Sequence, residues 1–103
     1  MSTRKLSNVS LADYREFLSK CHCKHTRTEG GHEVWTRRDL TRPIIVQTHV
    51  DPVPEFIIKN ALRNLGLKRK DFFEILFDCK IEIQQEDDDT YTKVDVEEIK
   101  RKL

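Results

Sequence analysis

Apolar residues recur at the spacing of an α-helix in three segments of the chain. In the first, apolar side chains three and four positions apart form one stripe over residues 11–20, and Ser10 before them is a suitable N-cap. The second segment starts at Pro54, which suits the first turn of a helix because its missing N–H needs no partner there, and it ends at Gly66, a suitable C-cap. A shorter apolar run follows at Phe72–Leu76. The pattern predicts helices in all three segments.

Between the first two helices the residues follow the patterns of strands. The predicted strands cover Cys21–Thr28, Glu33–Arg37 and Pro43–His49. Gly30 and Gly31 separate the first two, since a tight hairpin turn needs residues that tolerate positive φ. The consecutive Ile and Val residues of the third strand indicate the middle of a buried sheet.

The order helix, three strands, helix predicts an α+β sandwich in which two helices pack on one face of a three-stranded antiparallel sheet. The other face is then open, and a small open sheet is a common RNA platform, although a fold alone does not assign a function. A chain of 103 residues has room for one core. We therefore expect a domain over residues 1–77 followed by an extension over residues 78–103.

The extension has a different pattern and the opposite charge. Lys80–Gln84 alternates like a strand, Glu86–Asp89 is expected to be exposed, and Asp95 is expected to cap a last helix that reaches Lys102. Residues 1–77 carry 14 Lys and Arg against 9 Asp and Glu, whereas residues 78–103 carry 5 against 9. A basic body favours a polyanionic ligand; the alternative is that these charges only keep a small protein soluble.

The composition of the chain limits the cellular compartments in which we expect the protein. No apolar run approaches the roughly 18 residues of a transmembrane helix, and the first ten residues lack the apolar centre of a secretory signal. The chain has 3 cysteines, which cannot all pair with one another. We therefore expect a cytoplasmic protein with reduced thiols.

His32 is the strongest candidate for chemistry. It follows two glycines and opens a strand. The glycines give the backbone before His32 conformational freedom, and the strand after it fixes the direction of the His32 side chain. A histidine exchanges a proton near neutral pH, and RNA cleavage needs a base for the 2′-hydroxyl and an acid for the departing 5′-oxygen. Nearby cations able to stabilise charge on the phosphoryl group are Lys24, Arg37 and Arg38. The alternative is a surface histidine beside a turn.

Two other groups have open interpretations. His49 ends the third strand before a proline-containing loop, where it either contacts a ligand or holds the loop. Cys21, Cys23 and His25 share one face of the predicted strand, but a structural zinc site generally needs a second ligand pair, and none follows. We expect buried, unreactive thiols and no bound metal or other cofactor.

The order of several motifs resembles the HicA toxins of bacterial type II toxin–antitoxin systems. The motifs are a first helix, Gly-Gly-His opening a strand, the segment Pro43–His49, then Pro54 and the segment Lys59–Leu67. The resemblance covers roughly residues 10–76. The family usually has Gly-Ser followed by one or two histidines, and this chain has Gly31 in place of the serine and Glu33 where a second histidine often stands.

The resemblance implies a double-stranded-RNA-binding-domain-like fold of α-β-β-β-α order. It also implies a stress-response toxin, an endoribonuclease that cuts mRNA independently of the ribosome, with His32 as the active histidine and a HicB-like antitoxin as protein partner. The sequence does not identify the second catalytic group, for which Glu33 and a bound water are candidates, and Trp35 would either stack on an unpaired base or fill the sheet. A non-catalytic RNA-binding module and a protein-interaction domain are the alternatives.

The acidic extension suggests regulation. As a hypothesis, its tract folds over the basic face and weakens RNA binding, so that deletion of residues 78–103 raises it. The alternative is an added edge strand and a disordered acidic linker.

Overall fold

The computed structural model describes residues 5–101, which form a mixed α+β fold with a three-stranded and a two-stranded antiparallel sheet. Its elements are α1 (Leu11–Lys20), β1 (Lys24–Glu29), β2 (His32–Thr36), β3 (Ile44–Gln47), α2 (Glu55–Leu65), α3 (Arg69–Leu76), β4 (Ile81–Asp87), β5 (Thr90–Asp95) and α4 (Val96–Arg101). The predicted α+β class and the order helix, three strands, helix are confirmed.

Two predicted strand ends are wrong because the chain turns there. Cys21 caps α1, and His22 has a φ of 66°, so the strand begins at Lys24 and not at Cys21. The third strand, predicted to reach His49, ends at Gln47. The residues after it form a turn in which Val50 donates its N–H to the Gln47 carbonyl.

The three-stranded sheet has the order β1-β2-β3, so β2 is its middle strand. The expectation that the apolar third strand lies in the middle is wrong, and Ile45 of β3 is 40% exposed. The predicted hairpin is confirmed, since Glu29 pairs with His32 across Gly30, which has a φ of 59°, and Gly31.

One face of this sheet packs on the helices. Trp35 of β2 pairs with Ile44 of β3, and both side chains are buried in the main hydrophobic cluster. Besides the two helices expected to cover the sheet, α3 contributes, since the ring of Phe72 lies 4.7 Å from that of Phe17 in α1. The helices supply most of the core: Leu11, Tyr14, Phe17, Leu18, Ile58, Ala61, Leu62, Leu65, Phe72, Phe73, Ile75 and Leu76.

The extension forms a hairpin of β4 and β5, of which the sequence pattern indicated only the first strand. The hairpin packs on the body: Ile83 belongs to the core cluster, and His22 Nε2 donates to the Ile83 carbonyl at 2.6 Å. The Nζ of Lys93 donates to the buried carboxylate of Asp71 at 3.2 Å. Residues on both sides of position 77 therefore share one core.

The end of the extension agrees with its pattern. Asp95 accepts a hydrogen bond from the Glu97 N–H at 2.8 Å and so caps α4, as predicted, while Lys102 lies outside the described residues. The tract Glu86–Asp89 is exposed, as predicted, and it forms the end of β4 and the turn to β5. Within residues 5–101, no helix has the length and apolar character needed to cross a bilayer.

Candidate functional site

His32 lies on the sheet face that does not pack on the helices. Successive side chains of a strand point to opposite faces. Trp35 belongs to the main core cluster and Glu33 binds Arg15 of α1, so both lie on the helix side, and His32 and Val34 lie on the other, where Val34 is also buried, at 5% exposed. We call this second side the open face. His32 is exposed, at the corner where the Gly30–Gly31 turn enters β2, and its cross-strand neighbours are Glu29 and Gln47.

His49 lies at the same corner as His32. Its ring contacts Gly31 so closely that a Cβ on Gly31 would lie 2.6 Å from Cδ2 and 2.9 Å from Nε2 of His49. Thr48 fixes this arrangement, because its N–H and its hydroxyl both donate to the Gly31 carbonyl, at 2.8 Å and 3.1 Å. The serine usual in the resembled family at position 31 would require the exposed His49 ring to move aside. A Cβ on Gly31 would point to the same side as Glu33, two residues later, so the His49 ring lies toward the face opposite His32, and the end of the sheet holds one exposed imidazole on each side.

The open face also carries two exposed cations. Lys24 pairs with Thr36 and Arg27 pairs with Val34, so both lie on the side of His32. Lys24 was predicted as an RNA contact, and its position about four residues, or ~13 Å, along the sheet from His32 is compatible with the next phosphates of a bound strand.

Arg27 lies on the open face although the sequence pattern does not predict it there. Regular alternation from Lys24 places it on the opposite side, but an irregularity in register between His25 and Arg27 returns it to the open face. The sequence carries no clear signal for this bulge. Arg27 forms an exposed ion pair with Glu29, with Nε 3.0 Å from Oε1.

Arg37 belongs to the protein interior and not to a ligand surface. Its guanidinium donates to both carboxylate oxygens of Asp39, at 2.6 Å and 2.9 Å, and to the Cys21 carbonyl at 2.8 Å. The ring of Tyr91 covers it, with Cζ 4.2 Å from the ring centre. These hydrogen bonds from Arg37 also lower the pKa of Asp39. The predicted RNA contact at Arg37 is therefore corrected, because its donors are used to join α1, the sheet and the hairpin.

Trp35 and Glu33 are also engaged on the helix side. Trp35 is 7% exposed, and its Nε1–H donates to Glu33 Oε1 at 3.0 Å, so it fills the sheet and is not placed to stack on a base. Arg15 donates to both oxygens of Glu33, at 3.1 Å and 2.6 Å, and these hydrogen bonds hold the pKa of Glu33 below its usual range. Since Glu33 lies across the sheet from His32 and both its carboxylate oxygens are held by Arg15, it is not placed to be the second catalytic group.

Arg38 lies at the opposite end of β2 from His32 and faces the acidic turn. It is exposed, with its Nη1 3.9 Å from Asp88 Oδ2 and its Nε 3.3 Å from Asp89 Oδ1. The predicted cations are therefore not gathered around His32: Lys24 shares its face, Arg37 is buried, and Arg38 contacts the extension.

Two of the cysteines, Cys21 and Cys23, are buried in the core. Burial raises the pKa of Cys21 to about 12 and that of Cys23 to about 11, so both remain protonated thiols near neutral pH. His25, the third member of the predicted cluster, stacks on Trp35 with ring centres 5.6 Å apart. Among residues 5–101, no three His, Cys, Asp or Glu side chains are grouped closely enough to hold a metal ion.

The chain was also compared with known proteins. No family model, no curated protein and no solved structure matches it.

Proposed function

We propose that this protein is a HicA-like endoribonuclease that cuts mRNA at the corner formed by His32 and His49. The proposal includes a double-stranded-RNA-binding-domain-like sandwich, with RNA lying on the open face. The observation that carries it is the pair of exposed imidazoles at one corner, with the His49 ring against the residue that precedes His32. The order of elements and the resemblance over residues 10–76 support the same function.

The reaction needs two proton transfers at this corner. His32 takes the proton of the 2′-hydroxyl as its oxygen attacks the phosphorus, and the bond from phosphorus to the 5′-oxygen breaks. His49, whose exposed ring turns around the end of the sheet toward His32, gives a proton to that departing oxygen. The products are a 2′,3′-cyclic phosphate and a free 5′-hydroxyl, and the two histidines exchange protons with water to begin again. His49 thus takes the place for which Glu33 and a bound water were the first candidates.

The open face supplies the binding energy for the RNA backbone. Lys24 and Arg27 are exposed there, and Gln47 lies beside His32 on the neighbouring strand. Lys24 neutralises one phosphate and Arg27, which also pairs with Glu29, neutralises at most a second, so the affinity should fall with salt with a logarithmic slope between about −0.7 and −1.4 for single-stranded RNA. Binding is therefore modest, which fits an enzyme that releases its product.

In the cell, such an enzyme would be a cytoplasmic toxin that arrests growth by degrading transcripts. A HicB-like antitoxin would neutralise it by covering the histidine corner. Both statements come from the resemblance and belong to the proposal.

Cleavage by purified variants tests the proposal. A single-stranded RNA labelled at its 5′ end is incubated with wild-type protein and with His32→Ala, and the cut ends are tested for a cyclic phosphate. We expect His32→Ala to bind RNA as the wild type does and to cut it at least about 100-fold more slowly. His25→Gln is the matched control, since His25 stacks on Trp35 on the helix side and its loss should leave cleavage unchanged.

Other outcomes lead to the rival functions. A wild-type protein that binds RNA and never cuts it is the non-catalytic module. A protein that binds no RNA at any salt concentration, yet holds a protein partner, is the interaction domain. If His32→Ala cuts RNA as fast as the wild type, the proposed mechanism is wrong.

A further inference from the structure

A groove runs between β3 and α2, on the side of the fold away from β1. It encloses a cavity of about 510 Å³. Apolar side chains from both elements form its walls, and polar side chains of α2 and the segment before β3 form its rim. The residues that the argument uses are Arg42, Ile44, Ile45, Ile57, Asn60 and Arg63.

The groove adjoins a strand edge without a neighbour. In the described sheet β3 pairs with β2 on one side only. Because Thr48 donates its N–H to Gly31, alternation along the antiparallel pair directs the backbone of Val46 and Ile44 toward β2. The N–H and C=O of Ile45 and the N–H of Gln47 are therefore directed outward, where they are able to pair with another strand, while the Gln47 carbonyl accepts from the Val50 N–H.

Exposed apolar surface continues from this edge. Ile45 is 40% exposed on β3. On α2, Phe56 is 63% exposed and lies on the same helix face as Asn60 and Arg63, four and seven residues later. A bound segment would remove apolar surface on both elements from water.

The positive charge of the groove's rim favours a negatively charged ligand. Arg42 and Arg63 are both exposed, and no acidic side chain within residues 5–101 forms an ion pair with either. By contrast, Lys59 on the same helix is compensated by Glu55, with Nζ 3.6 Å from Oε1. The two arginines thus present positive charge that the described part of the protein does not neutralise.

We propose that the edge of β3 and this groove bind an extended acidic segment of a partner protein. The segment adds a strand beside Ile45 and Gln47, places alternate apolar side chains in the groove, and brings carboxylates to Arg42 and Arg63. A free strand edge favours a peptide over RNA, because RNA has no backbone N–H groups to pair with it. The proposal does not depend on nuclease activity, since the groove and the His32 corner are formed by different side chains.

A designed peptide provides the test. The probe is the blocked peptide Glu-Glu-Ile-Val-Ile-Val-Glu-Glu, added to ¹⁵N-labelled full-length protein and followed by NMR. We expect the amide signals of Ile45 and Gln47 to shift on binding. Replacing the four glutamates of the probe by lysines, or the first of its two valines by proline, should weaken binding at least about tenfold.

Variants of the protein separate the groove from general charge. The double variant Arg42→Glu/Arg63→Glu should bind the acidic probe at least about tenfold more weakly, and Lys100→Glu on α4 should bind it as the wild type does. The two arginines are exposed and form no ion pair within residues 5–101, so circular dichroism should show an unchanged fold.

Four results would overturn the proposal. The first is that the acidic probe does not bind at about 1 mM, and the second is that the proline version binds equally well. The third is that an RNA oligonucleotide displaces the probe. The fourth is that the protein sediments as a homodimer whose interface covers the β3 edge.

Discussion

Arg38 and Asp89 form an ion pair between the two sheets, with Nε 3.3 Å from Oδ1. Both side chains are about two-thirds exposed, so the pair itself contributes little to stability. The pair matters because it holds the negative charge of the acidic turn close to the three-stranded sheet. The carboxylates of Asp88 and Asp89 approach the end of β2 that lies about 13 Å or more from His32.

The first prediction concerns this acidic turn. The double variant Asp88→Asn/Asp89→Asn should bind single-stranded RNA a few-fold more tightly at low salt, because two repulsive charges are removed near the RNA path. The gain should vanish at high salt, and filter binding at several salt concentrations measures it. Glu97→Gln/Glu98→Gln changes the net charge equally on α4 and should have a smaller effect.

Point variants are a better test than deletion of residues 78–103. Deletion would remove Ile83 from the core and Tyr91 from the guanidinium of Arg37, so the truncated protein should be less stable. If the double asparagine variant binds RNA no better than the glutamine control, the acidic turn does not weaken binding.

The second prediction concerns Gly31 and His49. In Gly31→Ala the new methyl group would overlap the His49 ring, which is exposed and able to rotate away. The stability should change by less than about 1 kcal/mol, whereas RNA cleavage should fall at least about tenfold because the acid is displaced. Cleavage rates and thermal unfolding of the same samples measure the two effects.

A double-mutant cycle supplies the control for that prediction. Adding Gly31→Ala to His49→Ala should cause no further loss of cleavage, since the ring that the methyl displaces is already absent. Full activity of Gly31→Ala alone would show that the position of the His49 ring is unimportant.

The third prediction concerns the pH dependence of stability. Hydrogen bonds from Arg15 hold the pKa of Glu33 below its usual range, so in acid the unfolded chain binds a proton at this carboxyl before the folded protein does. The free energy of unfolding should therefore fall as the pH drops from about 5 through the folded pKa of Glu33. Urea unfolding of the wild type at a series of pH values measures this fall.

Substitution of Glu33 tests the cause of that dependence. Glu33→Gln should be less stable than the wild type at pH 7 and should lose less stability between about pH 5 and pH 3. The exposed Glu82 provides the control, and Glu82→Gln should keep the wild-type profile. Identical slopes for the wild type and Glu33→Gln would contradict the assignment.

The fourth prediction concerns the thiols. Cys79 is exposed, whereas Cys21 and Cys23 are buried with raised pKa values. A thiol reagent at about pH 8 should label one cysteine of the folded protein quickly and all three after denaturation. Mass spectrometry of the labelled peptides identifies the site, and Cys79→Ala should abolish the fast reaction. Rapid labelling of Cys21 would show that the contact between α1 and the sheet opens readily.

Local patterns in the chain are sufficient to predict the order of the elements and the place of His32 at the start of a strand. Helical spacing and caps at Ser10, Gly66 and Asp95 act between residues close in the chain, so they can be read locally. The Gly30–Gly31 turn likewise fixed the start of β2. The strand β5 was not visible in the pattern, because its side chains are exposed or half-buried and lack an apolar stripe.

Which of the predicted site residues share a surface depends on contacts between distant parts of the chain. The tertiary structure buried Arg37 against Asp39, placed Glu33 across the sheet from His32, and brought His49 against Gly31. The order of the strands, which made β3 an edge, and the bulge that turned Arg27 to the open face are likewise products of pairing between distant segments. These outcomes depend on side-chain and backbone partners far apart in the chain, and local pattern carries no information about such partners.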